Sequence, residues 1–254
     1  MPVFASDGGR GFSPQLLVLA ISIGIVASTS VCQAGEPRLT QNEKRLEPEQ
    51  RQVTTPVEEF VRRAYIHGVP YEEAAAYGPS VVSKLLEMLA DTAEEEHWSN
   101  IVVTLCIVGN ESVLRSIQSF ISENGSGPLS RASYAAKTNA ITALGYLINR
   151  THSEEALHYA ERGLQPSTWT ERIHWRSPYN SNQEDLSVQL AQMSVMALAL
   201  SGHPDGRAAL EKLKTDASHA RVAAPINDLL DDAIETNEIV RREGLAKYLA
   251  SRIQ

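Results

Sequence analysis

The stretch from Ser167 to Leu186 contains the densest group of side chains that could recognise another molecule. Its sequence, STWTERIHWRSPYNSNQEDL, includes two of the three tryptophans of the chain. Exposed Trp, Tyr and Arg side chains often dominate the energy of protein interfaces, so the composition predicts a recognition loop. A second interpretation is open, in which the two tryptophans fold back as a structural plug between helices. The candidate binding residues are Trp169, Arg172, His174, Trp175, Arg176 and Tyr179.

Motifs typical of catalysis and metal binding are not found in this sequence. It contains no HExxH, paired CxxC or EF-hand pattern, and His152 and His158 are not spaced to share one helical face. It also lacks a GxSxG elbow, a P-loop and a dinucleotide fingerprint. Asp231 and Asp232 are expected to lie on a solvated helix face. We therefore predict no catalytic residue, no metal and no cofactor.

The first 34 residues have the features of a secretory signal. An apolar run from Leu16 to Ala27 follows Arg10, and Cys32-Gln33-Ala34 provides small residues at a cleavage site. We predict cleavage after Ala34 and a periplasmic or secreted protein without an integral membrane span. One alternative is an uncleaved N-terminal anchor. A lipoprotein signal at Cys32 is disfavoured, because Val31 stands where that motif has a small residue.

The net charge of the chain disfavours nucleic acids and anionic membranes as partners. The net charge is −8, and removal of one acid and one base with the signal leaves it unchanged. Nucleic acids and anionic membranes usually bind basic surfaces, so we expect neither as a partner. Cleavage also leaves Cys106 as the only cysteine, which excludes an internal disulfide and predicts a buried thiol.

Residues 35–54 are polar and contain two prolines, so we predict a disordered tether before a helical domain at 55–254. The domain shows helical periodicity interrupted by short stops and no alternation typical of strands. The expected stops are Gly68, Gly109, Asn149, Gly202 and Thr236. The expected helical segments include 57–67, 135–148, 153–163, 185–200, 220–234 and 238–249, together with a helix before Gly109 and one capped by Asn110.

The ends of three predicted helices resemble one another. They read Thr104-Leu-Cys-Ile-Val-Gly-Asn110, Ala143-Leu-Gly-Tyr-Leu-Ile-Asn149 and Ala197-Leu-Ala-Leu-Ser-Gly-His203. The pattern, with Pro204 after the last, resembles the short bacterial form of the HEAT-repeat family. The resemblance covers roughly residues 57–250 and implies an all-α, right-handed α-solenoid of about five antiparallel helical pairs. The longer spacing between the second and third units marks 167–186 as an inserted loop.

These observations predict an exported, non-catalytic module that binds or scaffolds another protein through a helical-repeat surface. The alternative comes from the resemblance, because some short HEAT-repeat relatives are lyases. An enzyme or enzyme subunit of that type would act on a small ligand near residues 167–186. It would require His174 and Arg176 to converge with acidic residues in a closed cavity.

Overall fold

The structure is a computed structural model that describes residues 55–123, 127–179, 182–216 and 227–252. The predicted signal peptide at 1–34 and the predicted tether at 35–54 lie outside the described residues. Within the described ranges the secondary structure is helical, apart from one isolated parallel bridge between Pro128 and Arg176. The all-α prediction is confirmed. Among the described helices, none has the length and apolar character needed to cross a bilayer.

The described α-helices are numbered here in chain order. The first six are α1 (Val57–Val61), α2 (Tyr71–Ala75), α3 (Val82–Ala90), α4 (Trp98–Val108), α5 (Leu114–Ser122) and α6 (Arg131–Thr151). The others are α7 (Glu154–Arg162), α8 (Pro166–Arg172), α9 (Gln183–Ser201), α10 (Pro204–Thr215), α11 (Asn227–Glu243) and α12 (Leu245–Ala250). Short 3₁₀ turns cover Pro79–Val81, Thr92–His97 and Glu111–Val113.

Helices α4, α6, α9 and α11 pack side by side in chain order and form the centre of the domain. Small residues allow close packing between α6 and α9. A Cβ atom at Gly145 would lie 2.5 Å from the carbonyl oxygen of Ala197, so this contact requires glycine. Helices α3, α5, α7, α8 and α10 pack against this central row and complete the buried core.

The first and last parts of the domain meet on the same central helices. Helix α2 contacts α12, and the rings of Tyr71 and Tyr146 lie 5.9 Å apart. A small apolar cluster beside them contains Leu200, Val240, Leu245 and Tyr248, with Tyr71, Tyr146, Ile239 and Leu249 packed against it. The C-terminal helix therefore shares its core with the N-terminal part of the domain.

Several predicted boundaries are confirmed. Helix α4 ends at Gly109, and the Asn110 side chain accepts a hydrogen bond from the Ser112 amide at 3.0 Å. The Ser153 hydroxyl caps α7 by accepting a bond from the Ala156 amide. The break at Gly202 separates α9 from α10 as expected.

Other boundaries were predicted wrongly. The helix predicted over 135–148 runs from Arg131 to Thr151, past the stop expected at Asn149. The helix predicted over 57–67 ends at Val61, because the side chains of Tyr65 and Asn100 bond the carbonyls that a longer helix would use. The break predicted at Thr236 is not present, since α11 continues to Glu243. The Thr236 hydroxyl lies 3.1 Å from the Tyr248 hydroxyl, so it bonds a distant residue rather than ending its own helix.

Candidate functional site

The stretch 167–186 is a helix followed by an extended segment, rather than a loop throughout. Helix α8 covers its start, residues 173–177 are extended, and α9 begins at Gln183. The Arg176 amide donates to the Gly127 carbonyl at 3.2 Å, and the Leu129 amide donates to the Arg176 carbonyl at 3.0 Å. These two bonds fix the extended segment beside the start of α6.

Trp169 is fully buried against the end of α7. Its Nε1–H donates to the Gly163 carbonyl oxygen at 2.7 Å, and its ring meets that of Tyr159 edge-on at 6.1 Å. A Cβ atom at Gly163 would lie 2.3 Å from the Ser194 hydroxyl and 3.0 Å from the Trp169 ring. Glycine at this position therefore lets α7, α8 and α9 converge around the indole.

Trp175 is also fully buried, between α5 and α6. Its Nε1–H donates to the Ile121 carbonyl in the last turn of α5 at 2.7 Å, and its ring lies 6.2 Å from Tyr134 in an edge-on arrangement. The carbonyls in the last turn of a helix lack partners within that helix. Trp175 thus supplies a hydrogen bond that α5 cannot make for itself.

Arg172 is half-buried and stacks on the aromatic side chains beneath it. Its guanidinium lies 3.9 Å from the centre of the Tyr159 ring and 5.2 Å from that of Trp169, and it donates to the Tyr159 carbonyl at 3.3 Å. Burial lowers the pKa of the Arg172 guanidinium. These contacts are intramolecular, so Arg172 fixes α8 on α7.

The remaining three candidate residues face solvent. His174 and Arg176 alternate along the extended segment with buried Ile173, Trp175 and Ser177. Tyr179 is 64% exposed, and its ring packs edge-on against Tyr134 at 5.4 Å. The segment consequently has a buried face that attaches it to the domain and an exposed face that carries an imidazole, a guanidinium and a phenol.

The structure therefore separates the six candidate residues into two groups. Recognition through Trp169 and Trp175 predicted partial exposure of both, and neither is exposed. Their positions are those expected of a structural plug, because each indole fills a space between helices and bonds a backbone carbonyl. His174, Arg176 and Tyr179 remain available for contact with a partner.

Two residues that sequence reasoning missed contact Tyr179, namely the exposed Arg131 and the buried Tyr134. The Arg131 guanidinium lies 5.8 Å from the centre of the Tyr179 ring, and the Tyr134 ring packs edge-on against the same ring. The Tyr134 hydroxyl donates to Gln189 Oε1 at 2.8 Å, and burial raises the pKa of this hydroxyl. Both residues come from the start of α6, far from Tyr179 in sequence, and no local pattern indicates the contact.

The exposed face of the segment does not bring His174 or Arg176 together with acidic side chains of the described residues. Within the described residues, neither His174 nor Arg176 forms a side-chain hydrogen bond or ion pair with an acidic residue, so the convergence required by the lyase alternative is not observed. Burial raises the pKa of the Cys106 thiol, which is fully enclosed in α4. The described part of the chain also contains no group of His, Cys, Asp and Glu side chains placed to hold a metal ion.

Comparison with protein-family models, with curated proteins and with solved structures found no match to this chain.

Proposed function

We propose that this chain is an exported, HEAT-like helical-repeat module that binds another protein. Its contact surface is the exposed face of the segment after α8, together with the start of α6. The observation that carries the proposal is the division of one short segment into a buried, hydrogen-bonded face and an exposed face with Arg176 and Tyr179.

The packing of α6 and α9 supports a repeated arrangement. The motifs at 143–149 and 197–203 lie at the ends of these two helices, and their backbones approach closely at Gly145. The Asn149 side chain donates to the Ser201 carbonyl at 3.0 Å, which joins the two helix ends. Equivalent motifs in contact with each other are expected when repeats stack in a solenoid.

The hydrogen bonds that anchor the segment support a binding role. Trp175 anchors the segment, and the backbone bonds at Arg176 align it with residues 127–129. A surface that is already ordered loses little conformational entropy when a partner binds. Tyr and Arg on such a surface are the residue types that contribute most to affinity.

Photocrosslinking would test this proposal in the exporting cell. A photoreactive phenylalanine derivative in place of Tyr179 is expected to capture a discrete partner protein. The matched control replaces Leu229, an apolar residue that is 44% exposed on α11. Failure of position 179 to form an adduct, or the same adducts from both positions, would contradict the proposed surface.

The predicted export has its own measurement. We infer that the mature chain starts at Gly35 and is periplasmic or secreted, so N-terminal sequencing of protein recovered outside the cytoplasm should begin at that residue. Recovery of a chain that still carries Met1 would instead favour an N-terminal anchor.

A further inference from the structure

Two arginines on the proposed contact surface have no acidic partner. The chain has 31 acidic and 23 basic side chains, and Arg62, Arg63, Arg207, Arg241 and Arg242 each form an ion pair with a glutamate. Within the described residues, Arg131 and Arg176 form none, although both are exposed. Both guanidinium groups are therefore exposed and without a carboxylate from the described part of this chain, on a protein whose net charge is −8.

The backbone places the segment that carries Arg176 and Tyr179 beside the start of α6, which carries Arg131. Pro128 and Arg176 form a parallel bridge, and continuing three residues along each chain leads to Arg131 and Tyr179. The Arg131 guanidinium lies 5.8 Å from the Tyr179 ring centre, which is consistent with this alignment. A nearby carboxylate, that of Glu95, accepts a bond from the Ser130 hydroxyl at 2.6 Å and does not pair with Arg131.

We propose that Arg131, His174, Arg176 and Tyr179 bind an acidic segment of the partner protein. This proposal rests on the proposed function and names the chemistry of its partner. Guanidinium groups bond carboxylates through paired, charge-assisted hydrogen bonds. The Tyr179 ring, which contacts Arg131 and meets Tyr134 edge-on, is 64% exposed and offers apolar surface to a side chain of the partner.

A protein segment fits this surface better than a nucleic acid or a lipid membrane. Phosphate polymers and anionic bilayers are usually bound by many cations spread over a broad surface. The surface described here has two arginines on a chain of net charge −8. Such a surface is suited to a short run of carboxylates, while the surrounding negative charge disfavours an extended polyanion.

The test measures binding of a fluorescein-labelled oligoglutamate peptide to the mature chain by fluorescence anisotropy. Binding is expected at low ionic strength and should weaken as salt is added. The double variant Arg131→Ala with Arg176→Ala should weaken it by at least about tenfold, and Tyr179→Ala by about threefold. The control double variant, Arg115→Ala with Arg150→Ala, removes the same charge from exposed sites on α5 and at the opposite end of α6.

The control variant should bind the peptide within about twofold of the unaltered protein, because only its net charge differs. An equal loss of binding in both double variants would overturn the proposal, as would the absence of any binding to the peptide. Tighter binding to phosphatidylglycerol vesicles through the same arginines would also overturn it and would indicate a membrane surface. If a partner still crosslinks at position 179 in any of these cases, the proposed function stands and only the acidic segment is rejected.

Discussion

Polar side chains of neighbouring helices donate hydrogen bonds to backbone carbonyls at or just after the C-terminal ends of several helices in this protein. The Asn100 amide donates to the carbonyls of Val61 and Arg63, each at 2.9 Å, and Lys137 donates to that of Glu123 at 2.7 Å. The last carbonyls of a helix need such partners when water cannot reach them. These contacts therefore link the end of one helix to the side of another.

Asn237 donates to more than one such carbonyl, and its substitution tests how much these contacts stabilise the protein. It is fully buried on α11, and its amide donates to the carbonyls of Leu198 at 2.7 Å and His203 at 3.3 Å. Asn237→Ala should lower the free energy of unfolding by about 2 kcal/mol, because buried carbonyls lose their donor. Urea denaturation measures the change. The exposed Glu235→Ala variant serves as the control, and a loss no larger than its own would contradict this role for Asn237.

The buried ammonium group of Lys137 should make the stability of the folded protein depend on pH. Burial lowers the pKa of its ammonium group to about 8, from the ordinary value of 10.5, and its Nζ lies 4.5 Å from the centre of the Phe120 ring. Between these two pKa values the unfolded chain binds the proton and the folded chain does not. Stability from this group therefore rises with pH in that window, by up to about 1.4 kcal/mol per pH unit.

The comparison of the unaltered protein with Lys137→Met isolates this effect. The stability difference between them, measured by urea denaturation, should shift in favour of the unaltered protein from pH 8 to pH 10.5. Tyr65 and Tyr146, whose pKa values burial raises to about 12, lose protons at higher pH in both proteins and cancel in the difference. A difference that stays constant across this window would show that Lys137 titrates normally.

At the scale of elements, the segment after α8 is stabilised mainly by its tryptophans. Trp169 joins α8 to α7, and Trp175 joins the extended segment to α5. Both indoles combine apolar burial with one hydrogen bond to a buried carbonyl. The exposed side chains between and after them are thereby positioned without contributing to the core.

Trp175→Ala should consequently lower the free energy of unfolding by about 3–5 kcal/mol, since it leaves a cavity and removes the donor to Ile121. Trp175→Phe should cost less, because much of the apolar contact remains. Tyr179→Ala, at a largely exposed position, should change stability by no more than about 0.5 kcal/mol. Thermal and urea denaturation would measure all three. A small loss for Trp175→Ala would contradict the structural plug.

At the scale of the whole domain, the contact between α2 and α12 couples the two ends of the described chain. Leu245 is buried in the cluster that also involves Tyr71 and Tyr146. Neither of these short helices would be stable in isolation. Each depends on the packing that the other helps to complete.

Leu245→Ala tests this coupling. It should lower the free energy of unfolding by about 2–4 kcal/mol through the cavity it creates. Hydrogen exchange at residues 71–75 should accelerate as well, although they lie at the other end of the domain. The exposed Lys247→Ala variant, which removes an ion pair with Glu243, should leave both measurements almost unchanged. Unaltered exchange at 71–75 in Leu245→Ala would show that the ends are independent.

The amino-acid sequence alone determined the helical class and several of the helix boundaries. Caps such as Asn110 and stops such as Gly109 and Gly202 act within a few residues, so the sequence shows them directly. The prediction failed at Val61 and Thr236, where distant side chains, Asn100 and Tyr248, changed the local outcome.

The tertiary structure alone decided which candidate residues are available for binding. The composition of 167–186 indicated an unusual segment but could not distinguish an exposed tryptophan from a buried one. That distinction depends on whether a complementary cavity and a free carbonyl exist elsewhere, and Ile121 and Tyr134 provide them for Trp175. Arg131 joined the surface for the same reason, because its contact with Tyr179 is created by packing and leaves no pattern along the chain.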